Sequence, residues 1–514
     1  MSKPRPIGRL EAVCVALLSF GAGAYAANAP ETFKCSARGG PEWQQYRSKH
    51  FVVATDLSRD SGAVLVKDLE WIYAMVLQAM IGKQVDLPGR TRVIAFGNSA
   101  QFDELAHGYG GYHSITSSKQ SMVVIPVARL TADPETVAHE LVHHLSLFIF
   151  PHPPRWFSEG LAEFIQTVAS DTTDNEPSTT TGSHIVRGAK GGVGMLSREM
   201  SELLQIPPVK VKELLDWTDR RVAAGERAYY AQSWLLYHWL WNNRSKEFTE
   251  FQRRLTAAED PKAAWRAALP EFDPQKPGAL ESLDKTLERY RGSPRYAFYR
   301  VKAEGDPAFS ESKLPSADVH LLLLDGRLRS SQPELREPLQ RAELEEALRE
   351  DSSHPLAIAR RAALDNSWAL PELRNSVIAR PKDAQAWLCL GRALSEVGNQ
   401  SEAESAYRKA VALDADSAEA QNNLAALLVS KRQHHEALPF AKRALELAPW
   451  DPVCIDTLAA VAHGLGKCTQ ALVLQRRAVS ITQLSDSLLA MGGDDAYSKR
   501  LREYETRCGP SASK

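Results

Sequence analysis

The C-terminal third of the chain contains an internal repeat, which constrains the fold more strongly than any other feature of the sequence. Windows of 34 residues starting at Ala384, Ala418 and Pro452 align with one another. Three sets of apolar residues recur at matching positions, namely Leu390, Leu424 and Leu458, then Ala403, Ala437 and Ala471, then Ala410, Ala444 and Ala478. A period of this length is typical of a helix pair that buries its apolar face by stacking on its neighbours. The sequence thus predicts an all-α solenoid in this region.

The repeated segment, residues 383–484, resembles three tetratricopeptide repeats. Tyr407 and Pro449 lie where that repeat usually has its aromatic residue and its proline. Residues 314–380 resemble degenerate units of the same kind, and residues 485–514 resemble a capping helix and a tail. The resemblance implies a module that binds a partner protein or a substrate.

Two of the six cysteines are predicted to form a disulfide. In the register of the repeats, Cys468 begins the second helix of the third unit and Cys508 ends the candidate capping helix. Antiparallel packing of those two helices would bring the two thiols together. Cys389 and Cys454 lie on first helices of the repeats and are predicted to be small core residues.

The N-terminal residues have the composition of a secretory signal peptide. Three basic residues precede an apolar run, and Ala24-Tyr25-Ala26 supplies the small residues of a cleavage site. We therefore expect residues 1–26 to be removed, giving an exported protein, periplasmic or secreted, with no membrane span after cleavage. An uncleaved anchor is the alternative, although the apolar run is short for a bilayer.

The length and charge of the chain exclude some architectures and partners. A chain of 514 residues is too long for one typical domain, so two or three domains are expected. The formal net charge of -1 leaves no basic excess to neutralise phosphates, and no nucleic-acid partner is predicted.

Residues 41–304 alternate strand and helix signals and are predicted to form an α+β lobe. Short β-branched segments mark strands at 50–56, 92–98 and 121–127, and apolar residues at helical spacing mark a helix at 62–80. Pro126 favours the edge of a sheet for the third strand, where an extended peptide could pair with it.

Two further stretches of this lobe are predicted to be loops. Tyr112 and His113 follow a glycine-rich stretch, and residues 166–200 are rich in serine, threonine and glycine. The region from 208 to 300 is predicted to be helical.

One helix of the lobe carries the pattern His139-Glu140-Leu141-Val142-His143. Residues four apart lie on the same helix face, so the two imidazoles can reach one zinc ion. Glu140 would then lie beside the metal, close enough to accept a proton from a water molecule. The pattern by itself is only suggestive, because it also arises by chance.

A second helix strengthens this hypothesis. It is predicted to begin near Arg155 and carries Glu159 and Glu163, which are four residues apart and share a face. Catalytic zinc usually has three protein ligands and one open position. Glu159 is the best third ligand, and Glu163 is predicted to orient a metal-binding side chain from behind, without touching the metal itself.

The stretch "HELVHH…PPRWFSEGLAEF" resembles the gluzincin metallopeptidases, in particular the peptidase MA-like family of exported bacterial proteins. The resemblance covers about residues 43–300 and implies a zincin-like α+β lobe. It also implies His139, His143 and Glu159 as zinc ligands and Glu140 as the general base. The aminopeptidase signature G-A-M-E-N is absent, so the resemblance does not extend to trimming of peptide N-termini.

Tyr230 has two possible roles. The segment "YAQSWLLYHWL" is similar to the helix of aminopeptidase-N-like enzymes whose tyrosine donates a hydrogen bond to the oxyanion, although Ser233 replaces the family glycine. Alternatively, Tyr230 belongs with Trp234 and Tyr237 to an aromatic core stripe at helical spacing.

Two functions fit these observations. The first is an exported zinc-dependent peptide hydrolase, endopeptidase-like, whose repeats bind a protein partner or deliver a peptide or protein substrate. The second is a non-catalytic zinc-binding scaffold whose tetratricopeptide repeats bind a partner protein.

Overall fold

The N-terminal lobe is built on a six-stranded sheet with both parallel and antiparallel neighbours. The computed structural model describes residues 32–82, 86–98, 101–103, 112–115, 121–126, 134–150, 153–169, 190–217, 225–257, 259–292, 296–303, 306–330, 333–484 and 494–508. The strands of this sheet are β1 (Gln44–Ser48), β2 (Phe51–Thr55), β3 (Thr91–Phe96), β4 (Tyr112–Ile115), β5 (Ser121–Pro126) and β8 (Phe309–Lys313). Their order is β4-β5-β3-β2-β1-β8, and β2, β3 and β5 run parallel. Strand β8 belongs to the sheet although it follows the predicted lobe boundary at residue 304.

The prediction that residues 121–127 form an edge strand is wrong. Strand β5 lies between β3 and β4, and Tyr112 and His113, which were predicted to lie in a loop, belong to β4. Pro126 is the last residue of β5, where its missing N–H removes little from the ladder. On this side, β4 is the terminal strand of the sheet that the described residues form.

Helices cover both faces of the sheet. On one face Val53, Val93 and Val123 belong to a core shared with helices α1 (Arg59–Ile81), α2 (Pro134–Ile149) and α3 (Arg155–Ile165). On the other face Ala54, Ile94 and Val124 pack with residues of helix α10 (Ser316–Ser330). Successive side chains of a strand point to opposite faces, so this alternation determines which face meets which helix.

The remaining helices of the lobe contribute residues to the same core as α3. They are α4 (Arg198–Leu203), α5 (Val211–Leu215), α6 (Glu226–Asn243), α7 (Ser245–Thr256), α8 (Pro261–Ala268) and α9 (Ala279–Arg291). The stretch 166–200, predicted to be a loop, begins with a 3-10 turn at Gln166–Ala169 and includes β6 (Lys190–Val193), which pairs with β7 (Tyr299–Lys302). Residues 170–189 lie outside the described residues.

After β8, the described residues of the C-terminal part form helices and the short connections between them. Its helices after α10 are α11 (Pro333–Glu350), α12 (Pro355–Leu364), α13 (Leu370–Ala379), α14 (Ala384–Glu396), α15 (Gln400–Leu413), α16 (Ala418–Ser430), α17 (His434–Leu447), α18 (Pro452–Gly464), α19 (Cys468–Leu484) and α20 (Asp494–Cys508). Each predicted 34-residue unit is one helix pair, from α14–α15 to α18–α19, and these pairs share a continuous apolar core. The predicted all-α solenoid is confirmed.

The cysteine predictions are confirmed. Cys468 and Cys508 form a disulfide that joins the start of α19 to the end of α20, with their Cα atoms 5.5 Å apart. Cys389 and Cys454 are buried thiols on the first helices of the repeats.

The predicted signal peptide, residues 1–26, lies outside the described residues. Within the described part of the chain, no helix has the length and apolar character needed to cross a bilayer.

Candidate metal centre

Helix α3 is positioned by a wide apolar face. Trp156, Phe157, Leu161 and Phe164 are all at least 97% buried and anchor the helix in the lobe core. Gly160 allows α3 to approach α6, since a Cβ at this position would lie 2.7 Å from the carbonyl oxygen of Ser233. The backbone of α3 is therefore fixed on both sides of Glu159.

Three side chains from α2 and α3 converge on one point. The Nε2 atoms of His139 and His143 lie 3.0 Å apart. The Oε2 atom of Glu159 lies 3.5 Å from Nε2 of His139 and 3.2 Å from Nε2 of His143. The three residues that were predicted as zinc ligands are thus brought together, and they form a group able to hold a metal ion.

The spacing and the hydrogen bonding of this group fit a zinc ion. Ligand atoms about 2.0–2.1 Å from a tetrahedral metal are about 3.3 Å from one another, and the three observed separations lie on either side of that value. Glu159 Oε2 is buried and accepts no hydrogen bond from the described residues. A buried carboxylate oxygen is costly without a partner, and a cation at the point of convergence would supply one.

The outer nitrogens of both imidazoles are held by neighbouring side chains. His139 Nδ1 lies 2.8 Å from Oε1 of Gln166, and His143 Nδ1 lies 3.1 Å from Oγ of Ser158. These contacts orient the rings so that both Nε2 atoms face the same point, as in characterised metal sites.

Glu163 lies behind Gln166 rather than directly against a ligand. The Gln166 amide donates to Oε2 of Glu163 over 2.7 Å, and the other carboxylate oxygen is 3.8 Å from Nδ1 of His139. Sequence reasoning identified Glu163 but missed Gln166 and Ser158. The available signal was helical position, because Gln166 follows Glu163 by three residues and Ser158 adjoins Glu159.

The electrostatic field at this point favours positive charge. Burial alone would lower the pKa of His139, but the nearby carboxylates of Glu159, Glu163 and Glu140 raise it to about 10. Although burial opposes ionisation, the two imidazoles hold the pKa of Glu159 well below its usual range. Burial raises the pKa of Glu163 to about 7 in spite of the opposing charge of His139.

Glu140 and Tyr230, the predicted catalytic residues, lie at the border of the centre. Glu140 is partly exposed, and within the described residues its carboxylate makes no hydrogen bond or ion pair. The ring centroid of Tyr230 lies 6.5 Å from that of His139. Burial, reinforced by the charge of Glu159, raises the pKa of Tyr230, so its hydroxyl is a hydrogen-bond donor at neutral pH.

Arg155 was not identified from the sequence as a functional residue. Its guanidinium lies 3.7 Å from Oε1 of Glu159, donates to Glu226 over 2.7 Å and lies 4.1 Å above the ring of Trp217. It thus places a positive charge near Oε1 of Glu159, whereas the two imidazoles approach Oε2.

Comparison with known proteins gives matches in two parts of the chain. Residues 133–261, which include the metal centre, match a family described as a protein of unknown function, DUF1570. No curated protein matches the chain.

Solved structures match part of the chain. They include a thermophilic TPR protein of Thermus thermophilus, with 17% identity, a TM-score of 0.28, and coverage of 37% of this chain and 97% of that one. PilW, a type IV pilus biogenesis factor, has 21% identity, a TM-score of 0.28, and coverage of 38% and 95%. YrrB, a TPR protein with an unusual peptide-binding site, has 19% identity, a TM-score of 0.26, and coverage of 36% and 90%.

The family models agree with the internal repeat. Two tetratricopeptide models match residues 384–427 and 417–448, which contain helices α14 to α17. The C-terminal part of this chain therefore carries tetratricopeptide repeats.

Proposed function

We propose that the protein is an exported zinc-dependent peptide hydrolase with a zincin-like lobe of the peptidase MA-like gluzincin type. The observation that carries this proposal is the convergence of His139, His143 and Glu159 around a buried carboxylate oxygen that has no hydrogen bond among the described residues. Two imidazoles and one carboxylate match the donor set of catalytic zinc, which keeps one position open.

Zinc held by these residues would polarise the scissile carbonyl and lower the pKa of a bound water molecule. Glu140 accepts the proton of the attacking water and returns it to the leaving amine, a role that its carboxylate, without a partner among the described residues, allows. Tyr230 donates a hydrogen bond to the oxygen that becomes negatively charged in the transition state. Gln166, Ser158 and Glu163 keep the two imidazoles in their binding orientation.

The corrected sheet order supports a peptide substrate bound along β4 rather than along β5. An extended peptide can add to an open strand through main-chain hydrogen bonds, and β4 is the terminal strand on this side of the sheet that the described residues form. The tetratricopeptide repeats bind a protein, either a partner or the substrate itself.

A casein hydrolysis assay with the purified full chain tests this function. We expect turnover that phenanthroline abolishes, and we expect Glu140→Gln to keep its zinc but lose activity. Glu213→Gln removes an exposed carboxylate elsewhere in the lobe and is expected to retain activity. An active Glu140→Gln variant would refute the assignment of the base. Wild-type protein that binds zinc and a partner without turnover would instead favour the scaffold function.

A further inference from the structure

A second cluster of charge lies away from the metal centre, on the sheet face that meets α10. Arg47 on β1 pairs with Val52 on β2, which pairs with Arg92 on β3. Residues paired in this way across strands point to the same face. With neighbouring strands about 4.8 Å apart, the two arginine Cα atoms are separated by about 10 Å, so their long side chains can converge on one small group.

These two arginines line a cleft between the sheet and the C-terminal helices. The cleft has a volume of about 300 Å³ and is closed on its far side by residues of α10, α12 and the segment after α13. A second cleft of about 180 Å³ shares both arginines and extends toward α16. Arg92 is the more enclosed of the two, whereas Arg47 is exposed at the opening.

The acids that line the larger cleft already have basic partners. Asp318 accepts from His354 over 3.1 Å, Asp325 pairs with Arg360 over 3.1 Å, and Asp383 lies 3.7 Å from Arg380. By contrast, neither Arg47 nor Arg92 makes a side-chain hydrogen bond or an ion pair with any of the described residues.

Two guanidinium groups on one wall, without partners among the described residues, repel each other and are costly to enclose. Burial lowers the pKa of Arg92, and the positive charge of Arg47 lowers it further. The negative charge of Asp318 acts in the opposite direction. A guanidinium is a planar donor that fits carboxylate and phosphate oxygens in pairs, so an oxyanion would satisfy both groups and remove the repulsion.

We propose that the cleft between the sheet and the C-terminal helices is an oxyanion-binding site, in which Arg92 and Arg47 hold a carboxylate or phosphate group. Arg92 supplies the enclosed contact and Arg47 the contact at the opening. A cleft of this volume admits such a group together with part of the molecule that carries it.

Calorimetric titration of the purified full chain tests this site with three probes. They are inorganic phosphate, acetyl-triglycine with a free C-terminal carboxylate, and acetyl-triglycine amide, which lacks that carboxylate. We expect the wild type to bind phosphate or the peptide acid, but not the amide. Binding of phosphate alone identifies a phosphate ligand, and binding of the peptide acid identifies a peptide carboxylate. Arg92→Gln is expected to weaken binding at least tenfold, whereas Arg300→Gln, which removes an exposed guanidinium on β7, leaves it unchanged.

A second measurement covers the case in which Arg92→Gln folds poorly. Arg47→Gln changes the exposed member of the pair, and it should reduce the rise in melting temperature that the bound anion causes in the wild type. The proposal is overturned if the wild type binds neither probe, or if a folded Arg92→Gln or Arg47→Gln protein binds as tightly as the wild type.

Discussion

His144 packs edge-on against Trp450, with the two ring centroids 5.9 Å apart. Phe148, one turn further along α2, contacts the same indole at 5.0 Å. Trp450 lies between α17 and α18 of the repeats, whereas α2 carries His139 and His143 on another face. The repeat region therefore supports the helix that supplies two of the three proposed metal ligands.

Loss of this contact is expected to destabilise the protein. Trp450 is 95% buried, and Trp450→Ala would leave a cavity between α2 and the repeats, lowering the free energy of unfolding by about 3–5 kcal/mol. Urea denaturation measures this change. Trp368→Ala is the matched control, because Trp368 is 47% exposed and its removal should cost less than about 0.5 kcal/mol. Equal losses in the two variants would show that α2 does not depend on Trp450.

The side chains behind the imidazoles should tune zinc affinity. Gln166→Ala removes the group that orients His139 and is expected to weaken zinc binding by about 10–100-fold. Ser158→Ala should also weaken zinc binding, because the Ser158 hydroxyl orients the ring of His143. Competition with a chromophoric chelator measures the affinity, with the exposed Gln205→Ala as control. Unchanged affinity in Gln166→Ala would mean that its amide does not orient the ring.

The close approach of α3 and α6 gives a further prediction. Gly160→Ala would place a methyl group 2.7 Å from the Ser233 carbonyl oxygen, so we expect a loss of about 1–3 kcal/mol in the free energy of unfolding. Gly292→Ala is the control, because a methyl group there would lie at an ordinary contact distance of 3.7 Å from its nearest neighbour, the carbonyl oxygen of Arg289. A Gly160→Ala protein as stable as the wild type would contradict the observed packing.

The stability of the lobe should decrease in mild acid because of His238. Burial lowers the pKa of His238 from 6.5 to about 4, and its ring nitrogens contact Tyr290 Oη and the carbonyl oxygens of Gly194 and Ala297. Between those two pH values the unfolded chain binds more protons than the folded one, so stability falls as pH decreases. The contribution lost by this residue is on the order of 3 kcal/mol.

Melting temperatures measured from pH 7 to pH 4 test this effect. His238→Gln should show a shallower decline than the wild type, since it removes the titrating group. His435→Gln, at an exposed histidine of α17, should follow the wild-type curve. A wild-type curve that matches that of His238→Gln would show that His238 does not control the acid sensitivity.

The sequence was informative where the relevant residues are near one another along the chain or related by a fixed period. His139 and His143 are one helical turn apart, and the 34-residue period predicted that Cys468 lies opposite Cys508. In contrast, the order of strands depends on pairing between distant segments, so β4 was missed and β5 was wrongly placed at an edge. The contact of Trp450 with α2 joins segments about 300 residues apart, and no local pattern predicts it.

Elemental analysis of the purified wild-type chain and of the variants His143→Ala and Glu159→Gln tests the central claim most directly. The three converging side chains predict close to one zinc ion per wild-type chain and a large loss of zinc in both variants. A wild-type protein that contains no zinc after incubation with the ion, or variants that retain zinc at the wild-type level, would contradict the claim.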